Sequence, residues 1–238
     1  MNPYNSTDIK EIQVCRMFDT VAPVYDKLCH ILSFNIDRYW RNRMAALVSK
    51  VNPTSVIDIA TGTGDLAISM ASRIKGVKIT GIDISNNMLE IGRTKIRKFQ
   101  LEDRVKLMQG NAESLSFDNK LFDAATIAFG IRNFQDISRS LFECHRVLKN
   151  GGFLYIMEFS TPRNRAFRFL YNTYSKFIPL IGGVVSKDRK AYKYLTGSIK
   201  EFPSKNEFMN SMLSMGFDSC KSYSLFNGIA YIYQAKKI

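Results

Sequence analysis

A chain of 238 residues, 45% hydrophobic and 23% charged, can bury a substantial core and is too apolar for a disordered protein, yet holds no run near the roughly 20 apolar residues that span a bilayer. Its net charge of +13 favours anionic partners (nucleic acid, lipid or acidic protein) and equally suits a plain solvated basic surface. Four scattered cysteines (Cys15, Cys29, Cys144, Cys220) with no CxxC, and two distant histidines (His30, His145), speak against a disulfide scaffold and a metal site.

The polar start, Met1 to Lys10, has no signal-peptide core, which points to a cytoplasmic protein. Residues 1–52 read as a helical lead-in. Phe18, Val21, Ala22, Tyr25, Leu28, Ile31 and Leu32 recur at spacings of three and four, and Asn52-Pro53 ends the run. A strand–helix alternation follows over 53–160. Ser55–Ala60 predicts the first strand, Leu66–Arg73 a helix, Lys78–Asp83 the second strand, and Ser85 the N-cap of a helix through Phe99. Val105–Gln109 and Phe122–Ala128 predict strands three and four. Ile137–Leu148 predicts a helix closed by the turn Asn150-Gly151-Gly152, before strand five at Phe153–Phe159. Within 161–203, helices are predicted over Arg163–Ile178 and Asp188–Lys200. Within 204–238, Lys205–Met215 predicts a helix stopped by Gly216, and Phe217–Ser224 and Ile229–Lys236 an antiparallel pair joined by Phe226-Asn227-Gly228. The pattern predicts one α/β domain: a Rossmann-like parallel sheet with a C-terminal antiparallel hairpin, a helical lead-in acting as a lid, and helices inserted after strand five.

The loop Asp58-Ile59-Ala60-Thr61-Gly62-Thr63-Gly64-Asp65 joins the first strand to its helix. Gly62 and Gly64 permit a tight turn and close approach of a ligand, and Asp65 is placed to cap the helix. With Ala67 the loop also satisfies G-x-G-x-x-A, so spacing alone leaves NAD open. Asp83, 20 residues after Thr63, ends strand two where a carboxylate can accept hydrogen bonds from both hydroxyls of a ribose. That suits NAD and S-adenosylmethionine alike. Three features favour S-adenosylmethionine. Asp58 would repel a pyrophosphate but not an amino group or a sulfonium. Asn111 and the backbone of Ala112, after strand three, are placed to read the edge of an adenine. The terminal hairpin fits a methyltransferase sheet and not the usual dinucleotide sheet.

Several longer strings are more specific. They are Met17-Phe18-Asp19, Tyr25-Asp26 and Trp40-Arg41 in the lead-in, and Phe129-Gly130-Ile131-Arg132-Asn133 after strand four. Arg146-Val147-Leu148-Lys149 runs through Gly151-Gly152 to Glu158-Phe159-Ser160, and Ala191-Tyr192 through Tyr194-Leu195 to Ser198-Ile199. On these, from Met17 to Lys236, the chain resembles the demethylmenaquinone/ubiquinone C-methyltransferase family. The resemblance implies a seven-stranded class I methyltransferase fold. It implies S-adenosylmethionine as methyl donor, contacted by Thr63, Asp83, Asn111 and Ala112. It also implies a prenylated quinol methylated at a ring carbon, demethylmenaquinol in menaquinone biosynthesis or the corresponding benzoquinol of the ubiquinone pathway. The chain departs from the family pattern at Cys29 (usually asparagine), Asn150 (usually proline) and Ala128 (often serine), so Ala128 is not carried over as a polar contact.

Methyl transfer to a quinol carbon needs an electron-rich ring, which loss or polarisation of a neighbouring hydroxyl proton provides. Arg132, just beyond strand four, is the first candidate to stabilise the phenolate, with Asn133 orienting the oxygen. The plainer role for Arg132 is a surface pair with Asp136. His30, Asp26 and Glu158 compete as bases, while His145 is expected to pack inside its helix. Tyr25-Asp26 either covers the cofactor or simply packs. Over Arg163–Ile178, a stripe of Phe167, Leu170, Tyr171, Tyr174, Phe177 and Ile178, with Arg163, Arg165, Arg168 and Lys176 alongside, either packs in the core or rests on an anionic leaflet at the inner face of the membrane. An NAD-dependent oxidoreductase, an RNA methyltransferase and a non-enzymatic S-adenosylmethionine sensor are the rival readings. No nucleic-acid module is visible in the sequence, and a homo-oligomer is left open.

Overall fold

The computed structural model describes residues 1–4, 6–162, 164, 168, 169, 173, 174 and 188–238. The predicted helix Arg163–Ile178 and its apolar stripe lie almost wholly outside the described residues. The lead-in forms two helices, α1 (Lys10–Leu32) and α2 (Ile36–Ser49), divided by a turn in which Phe34 and Asn35 take left-handed φ values of 52° and 61°. Then β1 (Ser55–Ile59), α3 (Asp65–Arg73), β2 (Lys78–Asp83), α4 (Asn86–Lys98), β3 (Val105–Gln109), β4 (Phe122–Ala128), α5 (Ile137–Val147) and β5 (Leu148–Phe159) follow in order. The described elements end with α6 (Arg189–Glu201), α7 (Lys205–Ser214), β6 (Phe217–Leu225) and β7 (Ala230–Lys237).

The local signals mostly act as the sequence predicts. Ser85 caps α4 by accepting from the Met88 N–H at 3.2 Å, and α7 carries a capping box of Ser204 and Glu207. Asp65 does not cap α3. Gly64 takes the cap position at φ 76°, and the Asp65 carboxylate turns to Lys95 and Arg41, whose charges its own helix terminus cannot match. The predicted turn at 150–152 is a bulge inside β5, where the register with β4 jumps from Phe122↔Leu148 to Ala124↔Phe153. Its glycines are required: Gly151 has φ 80°, and a Cβ on Gly152 would stand 2.8 Å from the Lys149 carbonyl oxygen.

The seven strands form one sheet in the order β3-β2-β1-β4-β5-β7-β6. β1 to β5 are parallel, and β7 runs antiparallel to both β5 and β6, as the hairpin reading requires. Helices cover both faces, so Val56, Ile57, Ile59, Ala124, Ala125 and Ile127 are all buried. One core, with Trp40, Met44, Met70 and Tyr155, lies on one face. A second, with Leu141, Phe208, Met212 and Tyr233, lies on the other. A third cluster joins Val14, Met17, Val21 and Leu28 of α1 to Met88 of α4 and Tyr192 and Tyr194 of α6. The strand order reverses between β1 and β4, and in open α/β sheets ligands bind outside the carboxyl ends of the strands at that point.

Candidate active site

Two cavities open there. The first encloses about 690 Å³ and is walled by the segments that follow β1, β2, β3 and β4, with Glu11, Val14, Phe18 and Tyr25 of α1 against it. Gly62, Asp83, Asn111 and Ala112 all line it. A Cβ built on Gly62 (φ 56°) meets nothing within 4 Å, so bare backbone faces the space. The Asp83 carboxylate accepts from the Gly62 N–H at 2.8 Å and the Ser85 N–H at 2.9 Å, and burial pushes its pKa up to about 6 against those bonds. Asn111 Oδ1 accepts from the Glu113 N–H at 2.7 Å, which turns the segment and leaves two amide donors for a ligand.

Asp58, Thr63 and Gly64 do not line this cavity. Asp58 accepts from the Thr61 and Thr126 hydroxyls, each at 2.6 Å, and burial raises it to about 6. Thr63 donates to Asp26 of α1 at 2.6 Å, and Lys95 of α4 reaches Asp26 at 2.8 Å, Thr63 at 3.1 Å, and Asp65. These residues hold the glycine loop in shape and tie α1 across it. Ala60 (φ 54°) and Phe129 (φ 58°) are non-glycine residues in the left-handed region, and both line the cavity. Strain of this kind costs of order 1–3 kcal/mol per residue and gathers at ligand sites.

The second cavity, about 1710 Å³, is apolar through Leu28, Leu32, Trp40, Phe159, Ile199 and Ile229. Phe18, Tyr25, Phe129 and Asn133 line both cavities, so the two meet at these side chains. Arg132 lines the second beside that seam. Its Nη1 donates to Glu158 Oε1 and to the Phe129 carbonyl, both at 2.6 Å, and its guanidinium carbon lies 5.4 Å from the Phe159 ring centroid. Glu158 is fully buried. Burial raises its carboxyl and the Arg132 charge opposes that rise. Arg132 therefore pairs with Glu158 and not with Asp136, which instead caps α5 by accepting from the Arg139 N–H at 3.0 Å. Arg132 Nε, Trp40 Nε1 and the Tyr194 hydroxyl are buried without a hydrogen-bond partner among the described residues, and all three residues line the second cavity.

The rival bases fall in different places. His30 Nδ1 lies 2.9 Å from Asp37 Oδ2 in a polar corner with Ser33 and Arg41, of which Ser33, Asp37 and Arg41 line the second cavity. Asp26 is engaged by Thr63 and Lys95, and His145 packs edge-on against Phe217 at 5.2 Å. Three features escaped the sequence reading: Glu158 as the partner of Arg132, the Asp37–Arg41 pair, and Lys95. The spacing of Asp37 and Arg41, four apart on one helix, was a usable signal.

The chain matches the model of the ubiE/COQ5 methyltransferase family over residues 6–237. It is 40% identical over 238 residues to a demethylmenaquinone methyltransferase of Bacteroides fragilis, covering 100% of this chain and 97% of that protein. It is 45% identical over 228 residues to a ubiquinone/menaquinone biosynthesis C-methyltransferase of Geotalea daltonii, covering 94% and 96% of the two chains. Among solved structures it is similar to an S-adenosylmethionine-dependent methyltransferase of Thermotoga maritima, with a TM-score of 0.66 at 20% identity over 94% of this chain and 100% of that one. A phosphoethanolamine N-methyltransferase of Haemonchus contortus, solved with S-adenosylmethionine, gives a TM-score of 0.60 at 16% identity over 82% of this chain and 52% of that one. Sheet order, strand-end cavities and the match along nearly the whole length agree: the chain belongs to the ubiE/COQ5 methyltransferase family, whose methyl donor is S-adenosylmethionine.

Proposed function

We propose that this enzyme methylates a ring carbon of a prenylated quinol, demethylmenaquinol first, at the seam between its two cavities. The supporting observation is that seam: a polar cavity suited to a nucleoside meets a large apolar one at Phe18, Tyr25, Phe129 and Asn133, with Arg132 beside it. The second cavity is lined mainly by apolar side chains, Leu28, Leu32, Trp40, Phe159, Ile199 and Ile229 among them, which suits a ring carrying a hydrocarbon tail. A relative that spans the whole chain is named for demethylmenaquinone. Purified enzyme with S-adenosylmethionine and reduced demethylmenaquinone is expected to yield a product one methyl group heavier on the ring. The benzoquinol arm of the same assay decides between the two pathways, and no ring methylation of either would refute the reading.

S-adenosylmethionine supplies a methyl group on a positively charged sulfur. The substrate hydroxyl would release its proton to solvent, and the Arg132 guanidinium would stabilise the phenolate formed. Electron density from that oxygen makes the adjacent ring carbon nucleophilic. The new carbon–carbon bond would form as the donor's sulfur–carbon bond breaks, leaving S-adenosylhomocysteine, and the ring proton would leave to solvent while the ring oxygen regains one, restoring the aromatic quinol with one net proton released. Asn133, common to both cavities, is assigned to orient the oxygen. Trp40, Phe129 and Phe159 wall the ring and keep water out.

Gly62, Asp83, Asn111 and Ala112 are assigned to direct contact with the donor, and Asp58, Thr63 and Gly64 to the loop behind them. Asp83→Ala is expected to weaken calorimetric affinity for S-adenosylmethionine by about 1–3 kcal/mol, through loss of charge-assisted bonds to the ribose. The ionised carboxylate offers the full set of acceptors, and its pKa stands near 6 in the free protein. Protonation therefore competes with binding below that pH, and the dissociation constant should rise by up to about tenfold per unit as pH falls from 6. Asp83→Asn should flatten that slope. An unchanged affinity in the alanine variant would remove Asp83 from the site.

A further inference from the structure

The positive charge of this chain is concentrated. Residues 27–50 and 161–200 together hold fourteen basic and two acidic side chains, a net of +12 out of +13. Both segments contribute to the second cavity, through Leu32, Phe34 and Trp40 from one and Tyr174, Tyr192 and Leu195 from the other. Their two acids are already engaged. Asp37 holds Arg41 and His30, and Asp188 accepts from the Tyr4 hydroxyl and caps α6.

Two aromatic rings project where this cavity is lined: Phe34, 75% exposed, from the α1–α2 turn, and Phe226, 50% exposed, from the β6–β7 hairpin. Each opens a Phe-Asn pair in left-handed backbone, at φ 52° and 61° for Phe34-Asn35 and 44° and 53° for Phe226-Asn227. That region is unfavourable for a bulky residue, and each ring keeps one aromatic contact, Phe34 with Tyr174 and Phe226 with Trp40 at 6.5 Å, while half or more of each residue stays exposed. The same strained device, used twice at one cavity, holds two phenyl groups outward. A third ring, Tyr174, also lines the cavity and lies 6.1 Å from Phe34. Arg38, four residues after Phe34, is exposed.

Aromatic rings settle at the headgroup level of a bilayer, and basic side chains beside them are drawn to anionic lipid. We propose that Phe34 and Phe226 form a rim that seats the mouth of the second cavity on an anionic membrane surface, so that a prenyl chain passes from lipid into protein without crossing water. The route for the substrate rests on the prenylated-quinol reading, whereas the docking itself is read without any substrate.

The test is sedimentation with phosphatidylcholine vesicles, with and without phosphatidylglycerol. Binding is expected only with the anionic lipid and should weaken as salt rises. Phe34→Gly combined with Phe226→Gly removes both rings and relieves both left-handed positions. It should weaken vesicle binding at least about tenfold while the melting temperature holds or rises. Phe99→Ser and Phe142→Ser, at rings 55% and 48% exposed elsewhere, should leave binding unchanged. Undiminished binding of the glycine variant, an equal loss in the two controls, or binding to poly(U) but not to anionic vesicles would each overturn the proposal. Vesicle binding without methylation of any quinol would uphold the docking and sink only the substrate reading.

Discussion

Arg132→Lys is expected to slow single-turnover methyl transfer by about 10²–10³-fold, with little change in affinity for S-adenosylmethionine. The guanidinium already donates through Nη1 to Glu158 and to the Phe129 carbonyl, and its Nε is buried without a partner. A planar fork can keep those bonds and still offer a donor to a phenolate. A lysine ammonium can pair with Glu158, but from that position it cannot also reach the substrate oxygen. Arg132 does not line the first cavity, to which the donor is assigned, so donor affinity should stay near the native value. A second readout separates chemistry from mere positioning of the loop. A simple phenol ionises at a pKa of roughly 10. Without the arginine the bound quinol should ionise closer to that value, so the variant's rate should keep climbing with pH where the native rate has levelled off. A normal rate at neutral pH, or an unshifted pH profile, would take the phenolate role away from Arg132.

The sheet was legible because its signals are local. β1 and β4 are short runs rich in apolar residues, followed within three residues by Gly62 and Gly130, β2 ends on Asp83, and Ser85 sits where a helix cap must be. The same local rules misplaced Asp65, whose direction is set by Lys95 and Arg41 on two other helices. They also read 150–152 as a turn, where pairing with β4 absorbs the extra residues as a bulge. Arg132 could be placed at the edge of the sheet because the residues after strand four must lie where ligands bind in open α/β sheets. Glu158 could be seen only as a rival base, because the two side chains are 26 residues apart in sequence and only the parallel pairing of β4 with β5 unites them. The second cavity was invisible for a related reason. Its walls come from α1, α2, the segment after β4, the end of β5, Tyr174, α6 and the terminal hairpin, and no periodicity within one segment announces a space shared by so many.

Glu158→Gln is expected to destabilise the protein by about 3–5 kcal/mol in urea unfolding, which for a chain of this size lowers the melting temperature by roughly 6–20 °C. Glutamine keeps the shape and still offers an oxygen to the Phe159 N–H, now bonded at 2.8 Å. What it removes is the only counter-charge in contact with Arg132 among the described residues, leaving a cation 8% exposed against a ring and a carbonyl. If the unpaired charge is the cause, removing it as well should recover most of the loss. Arg132→Met with Glu158→Leu fills the same space without charge, and pairs replaced in this way are often neutral or more stable. A double variant as unstable as Glu158→Gln would count against the unpaired charge as the cause of the loss in Glu158→Gln, which keeps an acceptor for the Phe159 N–H. Recovery of stability without recovery of methyl transfer would mean that the buried pair is kept for its chemistry. The fold would tolerate an apolar replacement, and the cation would be there because a phenolate must form at the seam of the two cavities.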